Sequence, residues 1–301
     1  MVGAGQIRDN QMIKWLEENT PKLVLAPSFI AVLIFVYGFI AWTAWVSLTR
    51  SRLLPKYEIE GFIQYERLFA SPRWETAFGN LFVFGILFIV IAMVLGLALA
   101  ILLDQNIRTE GAIRTIYLYP MALSMIVTGT AWKWILNPGL GLEAMVRGWG
   151  FEDFTFDWLV DPDRAIYTIV LAAIWQSSGF VMALFLAGLR SVDGEIIKAA
   201  QVDGIPTWRV YTAIIIPAMA PIFLSAFIVL SHLAVKSFDL VIALTGGGPG
   251  YATDLPATYM YAMAFSRGDI GQAASSAMIM MLVVFSIVVP YLYSELRSKD
   301  G

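Results

Sequence analysis

Long apolar runs separated by short polar segments pattern this 301-residue chain. Set against the roughly 20 residues a helix needs to cross a bilayer, six runs qualify: 23–48, 77–103, 115–132, 165–189, 210–235 and 270–293. The third is the shortest, and none of the six contains an Asp, Glu, Lys or Arg. The first lies behind Glu17 and Glu18 and is too long for a cleaved signal peptide, so a retained span is expected. Pro217 and Pro221 should kink the fifth, because proline removes a helical N–H and crowds the preceding turn. Gly96 and Ala100, four apart in the second, form a small-residue pair suited to close helix packing.

Composition agrees with the pattern. Hydrophobic residues make up 58% of the chain, charged residues 14%, and mean hydropathy is +0.71, whereas soluble domains are about one quarter charged. The expected fold is an all-α integral membrane protein with six transmembrane helices in a lipid bilayer. A net charge of −3 with no basic run argues against a nucleic-acid partner. Cysteine is absent and His232 is the only histidine, which removes thiolate chemistry, disulfides and nearly every zinc arrangement. Loop charge does not orient the chain: the twenty Lys and Arg divide almost evenly between the two sides.

One stretch breaks the apolar rhythm. "EIIKAAQVDGIPTWRVYTAIIIP", residues 195–217, begins with a helix too short to span a membrane. Asp193 can cap its start, and Gly204 followed by Pro206 can end it near residue 203. Ile196, Ile197 and Ala200 can share one side and Glu195 and Lys198 another, giving an amphipathic peg with a close-approach surface at Ala199 and Ala200. Such a helix docks into a groove or lies along the membrane interface.

"KAAQVDG", nine residues, then "IIIP" resembles the EAA loop of binding-protein-dependent ABC importer permeases. Ala199, Ala200, Gly204, Ile214 and Pro217 fall on that pattern, whereas Lys198 stands where the family has Glu and Ile216 where it has Leu. "YPMALSMIVTGTAWKWILNPGLGL", "LTGGGPG" and "DLPATYMYAMAF" extend the likeness to the carbohydrate-uptake branch, and "PKLVLAPS" and "VPYLYSELR" resemble its glucose and mannose permeases. The resemblance implies a type I ABC importer transmembrane domain over 77–293, preceded by a first helix and periplasmic loop within 1–76 and followed by a cytoplasmic tail, 294–301. It further implies a bacterial inner-membrane location with both termini cytoplasmic. The implied partners are a second homologous permease, a dimer of ATP-binding subunits holding ATP and magnesium, and a periplasmic sugar-binding protein. The peg then becomes a cytoplasmic coupling helix built from Glu195, Lys198, Ala199, Ala200, Asp203 and Gly204, with Pro217 following.

Polar residues in or beside the spans are candidates for the substrate path, since burying them requires a partner or water. Gln176 and Ser177 fall mid-span, and Gly179 lets another backbone approach. Lys236 and Asp239 follow the fifth span, three apart, and Trp132 flanks Lys133 at the end of the third. Aromatic faces with convergent polar groups suit a sugar; equally, Trp132 could be an interfacial anchor and Lys236 could simply pair with Asp239. "TGGGPG", 245–250, lacks the Lys-Ser/Thr end of a phosphate-binding loop and reads as a re-entrant turn. A secondary transporter would be expected to carry ionisable groups within its spans and often an internal repeat, and an intramembrane enzyme would need a reactive cluster; the spans provide neither. An oligosaccharide or α-glucoside permease is the alternative within the same class.

Overall fold

The computed structural model describes Thr20, Lys22 and residues 24–105 and 107–299, apart from the side chains of Ile197, Gln201 and 294–299. Glu17 and Glu18 lie outside this range. The described residues are helical almost throughout, with one isolated antiparallel bridge between Thr49 and Ile59. Among the described residues four helices are long and apolar enough to cross a membrane: α1 (Val24–Ser47), then, after the short α2 (Ile63–Phe69), α3 (Pro72–Asp104), α7 (Ala165–Ser191) and α13 (Ile270–Lys299, apolar over Ile270–Tyr293). A further pair, α9 (Thr207–Ala218) and α10 (Ala220–Val235), bent by 67°, has the apolar length of a fifth span, broken at its middle or re-entrant.

The bend has a local cause. Pro217 and Pro221 each lack an N–H, and the ladder before them loosens into a π turn, Tyr211–Ile215, before breaking at Met219. The third apolar segment departs from expectation. It is not one helix but two, α4 (Glu110–Leu118) and α5 (Met125–Ile135), joined by a 3-10 turn at Tyr119–Ala122. Pro120 cannot continue the α ladder, and Ser124 starts a new helix by accepting the Val127 N–H at 3.3 Å. Helix α6 is Leu142–Gly148.

The core is the α3–α7 pair. α7 is the most enclosed span, and α3, at 33 residues, is about 50 Å long against a hydrocarbon layer of about 30 Å. Ala92 and Ala100 are fully buried in this interface, and a methyl at Gly96 would come within 2.7 Å of Val181 Cβ. Small residues let the helix backbones approach where lipid offers no hydrophobic drive. The break in the third segment is held against the same helix: the Gln176 amide donates to the Leu123 carbonyl at 2.9 Å, and a Cβ at Gly179 would lie 1.8 Å from the Tyr117 carbonyl oxygen. Gln176 thus satisfies an acceptor that the proline break releases.

Candidate functional site

The peg is α8, Gly194–Val202. Asp193 Oδ1 accepts the Glu195 N–H at 2.9 Å, Gly204 takes φ +74°, and the Ile205 N–H returns to the Ala200 carbonyl at 3.0 Å. This is the six-to-one bond of a glycine-terminated helix, so both ends form as the sequence indicates. Nothing lies within 4 Å of the position a Gly204 Cβ would take. A side chain there is penalised by the left-handed backbone, about 1 kcal/mol, not by crowding.

The orientation of the peg differs from expectation in one respect. Ala200 packs into the helical core, but Ile196, one turn earlier on the same side, is not buried with it: it is 50% exposed, and the side chain of Ile197 lies outside the described residues. Glu195, Lys198, Ala199 and Asp203 face outward with Ile196 and with Val202, which is 88% exposed. No ion pair joins Glu195 to Lys198 among the described residues. Among the described side chains of the peg only Ala200 is buried against the body, and the others form a mixed apolar and charged knob. Pro217 is exposed at the bend beyond it.

Both flanks of the peg are fastened to the end of α3. Arg190, three residues before Asp193, lies 3.6 Å from Asp104 Oδ1 and 2.9 Å from Glu110 Oε1. Tyr211, on the far side, donates to Asp104 Oδ2 at 3.2 Å and receives the Gln105 amide at 3.3 Å. The Arg190 guanidinium, bonded to Glu110, holds the Glu110 carboxyl below the usual carboxylate range. Composition and spacing gave no sign of this clasp, because Asp104 and Arg190 are far apart in sequence and meet only through helix packing.

The substrate-path candidates separate into two groups. Lys236 and Asp239 come together in a cavity of about 140 Å³ that also contains Met125, Ser237 and Phe238, at the start of α11 (Asp239–Leu244). Both are exposed, and among the described residues neither makes an ion pair. Trp132, Gln176 and Ser177 do not line it. Trp132 packs edge-on to Trp175 at 5.9 Å, Ser177 is buried on α7, and Gln176 braces the break described above. Met125 and Phe238, which sequence reasoning passed over, are apolar and gave no signal of their own.

At the opposite end from the peg, the glycine-rich turn joins α11 to α12 (Pro256–Tyr261). Gly246, Gly247 and Gly250 take positive φ, and Gly247 also leaves room for Asp254 Oδ1, 2.6 Å from where its Cβ would be. Asp254 is buried, paired with Arg73 at the start of α3 and hydrogen-bonded by Thr258 at 2.9 Å. Asn80 donates to the Ala252 and Asp254 carbonyls. The turn is therefore tied to α3 as a rigid corner.

Residues 92–298 match the model of the binding-protein-dependent transport system inner membrane component family. The chain belongs to this family. A probable ABC transporter permease of Pyrococcus horikoshii is 39% identical over 92% of this chain and 96% of its own. The xylose/arabinose import permease XacH of Haloferax volcanii is 36% identical, with 89% and 86% covered, and the trehalose/maltose permease MalF of Thermococcus litoralis 28%, with 93% and 95% covered. The permease also shares its fold with a chain of a bacterial alginate ABC importer, at TM-score 0.82 and 21% identity over 95% of this chain and 99% of that one. The chain is thus a membrane-embedded, non-catalytic transporter subunit.

Proposed function

We propose that this permease forms half of the transmembrane pathway of an ATP-driven sugar importer, with a hexose, glucose or mannose, as cargo. The carrying observation is the outward-facing peg, capped at both ends and clasped on both flanks to the long helix α3. A second homologous permease completes the pathway, a periplasmic sugar-binding protein delivers the cargo, and a dimer of ATPase subunits, holding ATP and magnesium, receives the peg. Nucleotide state then biases inward- and outward-facing populations, because the ATPase grips the peg differently in each. Residues 190–209 and both termini are cytoplasmic in this reading. Lys236 and Asp239, which line one cavity and make no ion pair among the described residues, would bind sugar hydroxyls there. A carbohydrate cargo is supported by the relatives named for xylose/arabinose and trehalose/maltose, and the hexose by the sequence likeness to glucose and mannose permeases; that likeness also carries the bacterial location.

The test is uptake and ATP hydrolysis measured together in the reconstituted complex. Glu195→Ala should uncouple the two and Lys198→Ala should have a mild effect, with Gly204→Val worse than either; normal coupling in all three removes the peg from transmission. A panel of glucose, mannose, xylose, arabinose, maltose and trehalose, scored by ATPase stimulation, decides the cargo. Lys236→Ala and Asp239→Ala should lower uptake more than assembly.

A further inference from the structure

Helix α1 leaves two adjoining hollows at its end. The first is an apolar groove of about 290 Å³ between α1 and α13, walled by Phe39, Trp42 and Val46 and floored by Ala273, Ala274 and Ala277. The second is a polar cavity of about 280 Å³ lined by Arg50, Arg52, Gln64, Arg67 and Asp269. They are neighbours on both elements: Arg50 follows Val46 by four residues, and Asp269 immediately precedes Ile270, a residue of the groove. The seam is fixed by the Gly271 N–H, which donates to the Ser51 carbonyl at 2.8 Å, and by the Gln64 amide, which donates to the Thr49 carbonyl at 2.8 Å.

Three features point to one occupant. Trp42, Trp45 and Tyr57 cluster with ring centroids 5.5 to 6.5 Å apart, an aromatic group of the kind that sits at headgroup level. The arginine cavity opens just beyond it. Arg50 is paired with Glu60 and Arg67 with Asp269, each at 2.9 Å, whereas Arg52 has no carboxylate within pairing distance among the described residues. The groove is apolar apart from Thr43, and the most hydrophobic stretch of α1 buries none of its residues.

We propose that this composite site binds one anionic phospholipid, its acyl chain in the α1–α13 groove and its phosphate on Arg52 and Arg50. Arginine forks match phosphate oxygens in geometry and charge, and the groove fixes the chain whose headgroup they hold. A helix from a neighbouring subunit could fill the groove but would bring no phosphate to the arginines. An acidic soluble protein could reach Arg52 but would leave the groove to bulk lipid.

The assembled transporter, in nanodiscs of phosphatidylglycerol or of phosphatidylcholine, is released into mild detergent and its retained lipids are counted by native mass spectrometry. Wild type should retain one phosphatidylglycerol more than Arg52→Gln, whose apparent affinity should fall about fivefold, the effect of one arginine at the membrane surface. Ala277→Leu, which fills the groove and leaves the arginines intact, should lose the same lipid. Equal retention in wild type and both variants, or equal retention of phosphatidylcholine, overturns the proposal. Efficient crosslinking of a cysteine at Ala277 to a partner subunit overturns it in favour of a protein occupant. Arg52 is exposed, so its variant reports on binding even if Ala277→Leu fails to assemble.

Discussion

Replacing Gly179 with alanine would put a methyl group where the backbone of the broken third segment passes. The new Cβ would lie 1.8 Å from the Tyr117 carbonyl oxygen, 2.6 Å from its carbon and 3.2 Å from the Leu118 nitrogen, whereas ordinary contact begins at 3.4 Å. The obstruction is backbone and cannot rotate aside, so the segment must retreat by about 1.6 Å. That movement draws the nearby Leu123 carbonyl off the Gln176 amide. Overpacking costs about 1–3 kcal/mol and a buried acceptor left unpaired about 1–3 kcal/mol more. Alanine returns about 1 kcal/mol in helix propensity. The net loss is about 1–5 kcal/mol, or a fall in thermal midpoint on the order of 2–20 °C for a chain of this size. Gly79→Ala is the control, because it lies in α3 with nothing within 4 Å of its Cβ position and should be neutral or slightly stabilising. Both are read from the midpoint at which the detergent-solubilised complex loses its monodisperse peak. A Gly179→Ala midpoint indistinguishable from that of Gly79→Ala would refute the close approach of Tyr117.

A cysteine at Ser191 should react with an impermeant reagent only from the cytoplasm and one at Glu152 only from outside; the reverse pattern inverts the membrane orientation. Arg73→Ala leaves the buried Asp254 carboxylate without its partner, and the loss of about 3–5 kcal/mol expected for such a break should show as a sharp fall in folded protein recovered from membranes. Because Arg190 holds the Glu110 carboxyl below its ordinary value, the stabilisation from this pair is complete above the usual Glu range and is lost as pH falls through the lowered value. Wild type should therefore exceed Glu110→Gln in thermal midpoint at neutral pH, and the gap should close well below the ordinary Glu value of about 4.3. A pH-independent gap would assign the difference to something other than the charge.

Local chemistry in this chain is legible without a structure. Apolar runs longer than a bilayer is thick mark α1, α3, α7 and α13, because hydrophobic length is a property of consecutive residues. Asp193, Gly204 and Pro206 bound the peg, because capping is settled within a few residues of the helix end. The prolines in 217–221 announce the bend for the same reason. The break in the third segment was in principle visible at Pro120 and Ser124, yet the continuous apolar run masked it, since hydropathy records burial and not hydrogen bonding. What required tertiary structure were the meetings between distant residues. Only the packing of α7 sets the Gln176 amide against the freed Leu123 carbonyl, and Lys236 and Asp239, three apart, line a common cavity without pairing among the described residues. The Asp104 clasp and the arginine cavity joined to an apolar groove arise only where helix ends converge. Helix packing fixes those distances, and one-dimensional spacing carries no record of it.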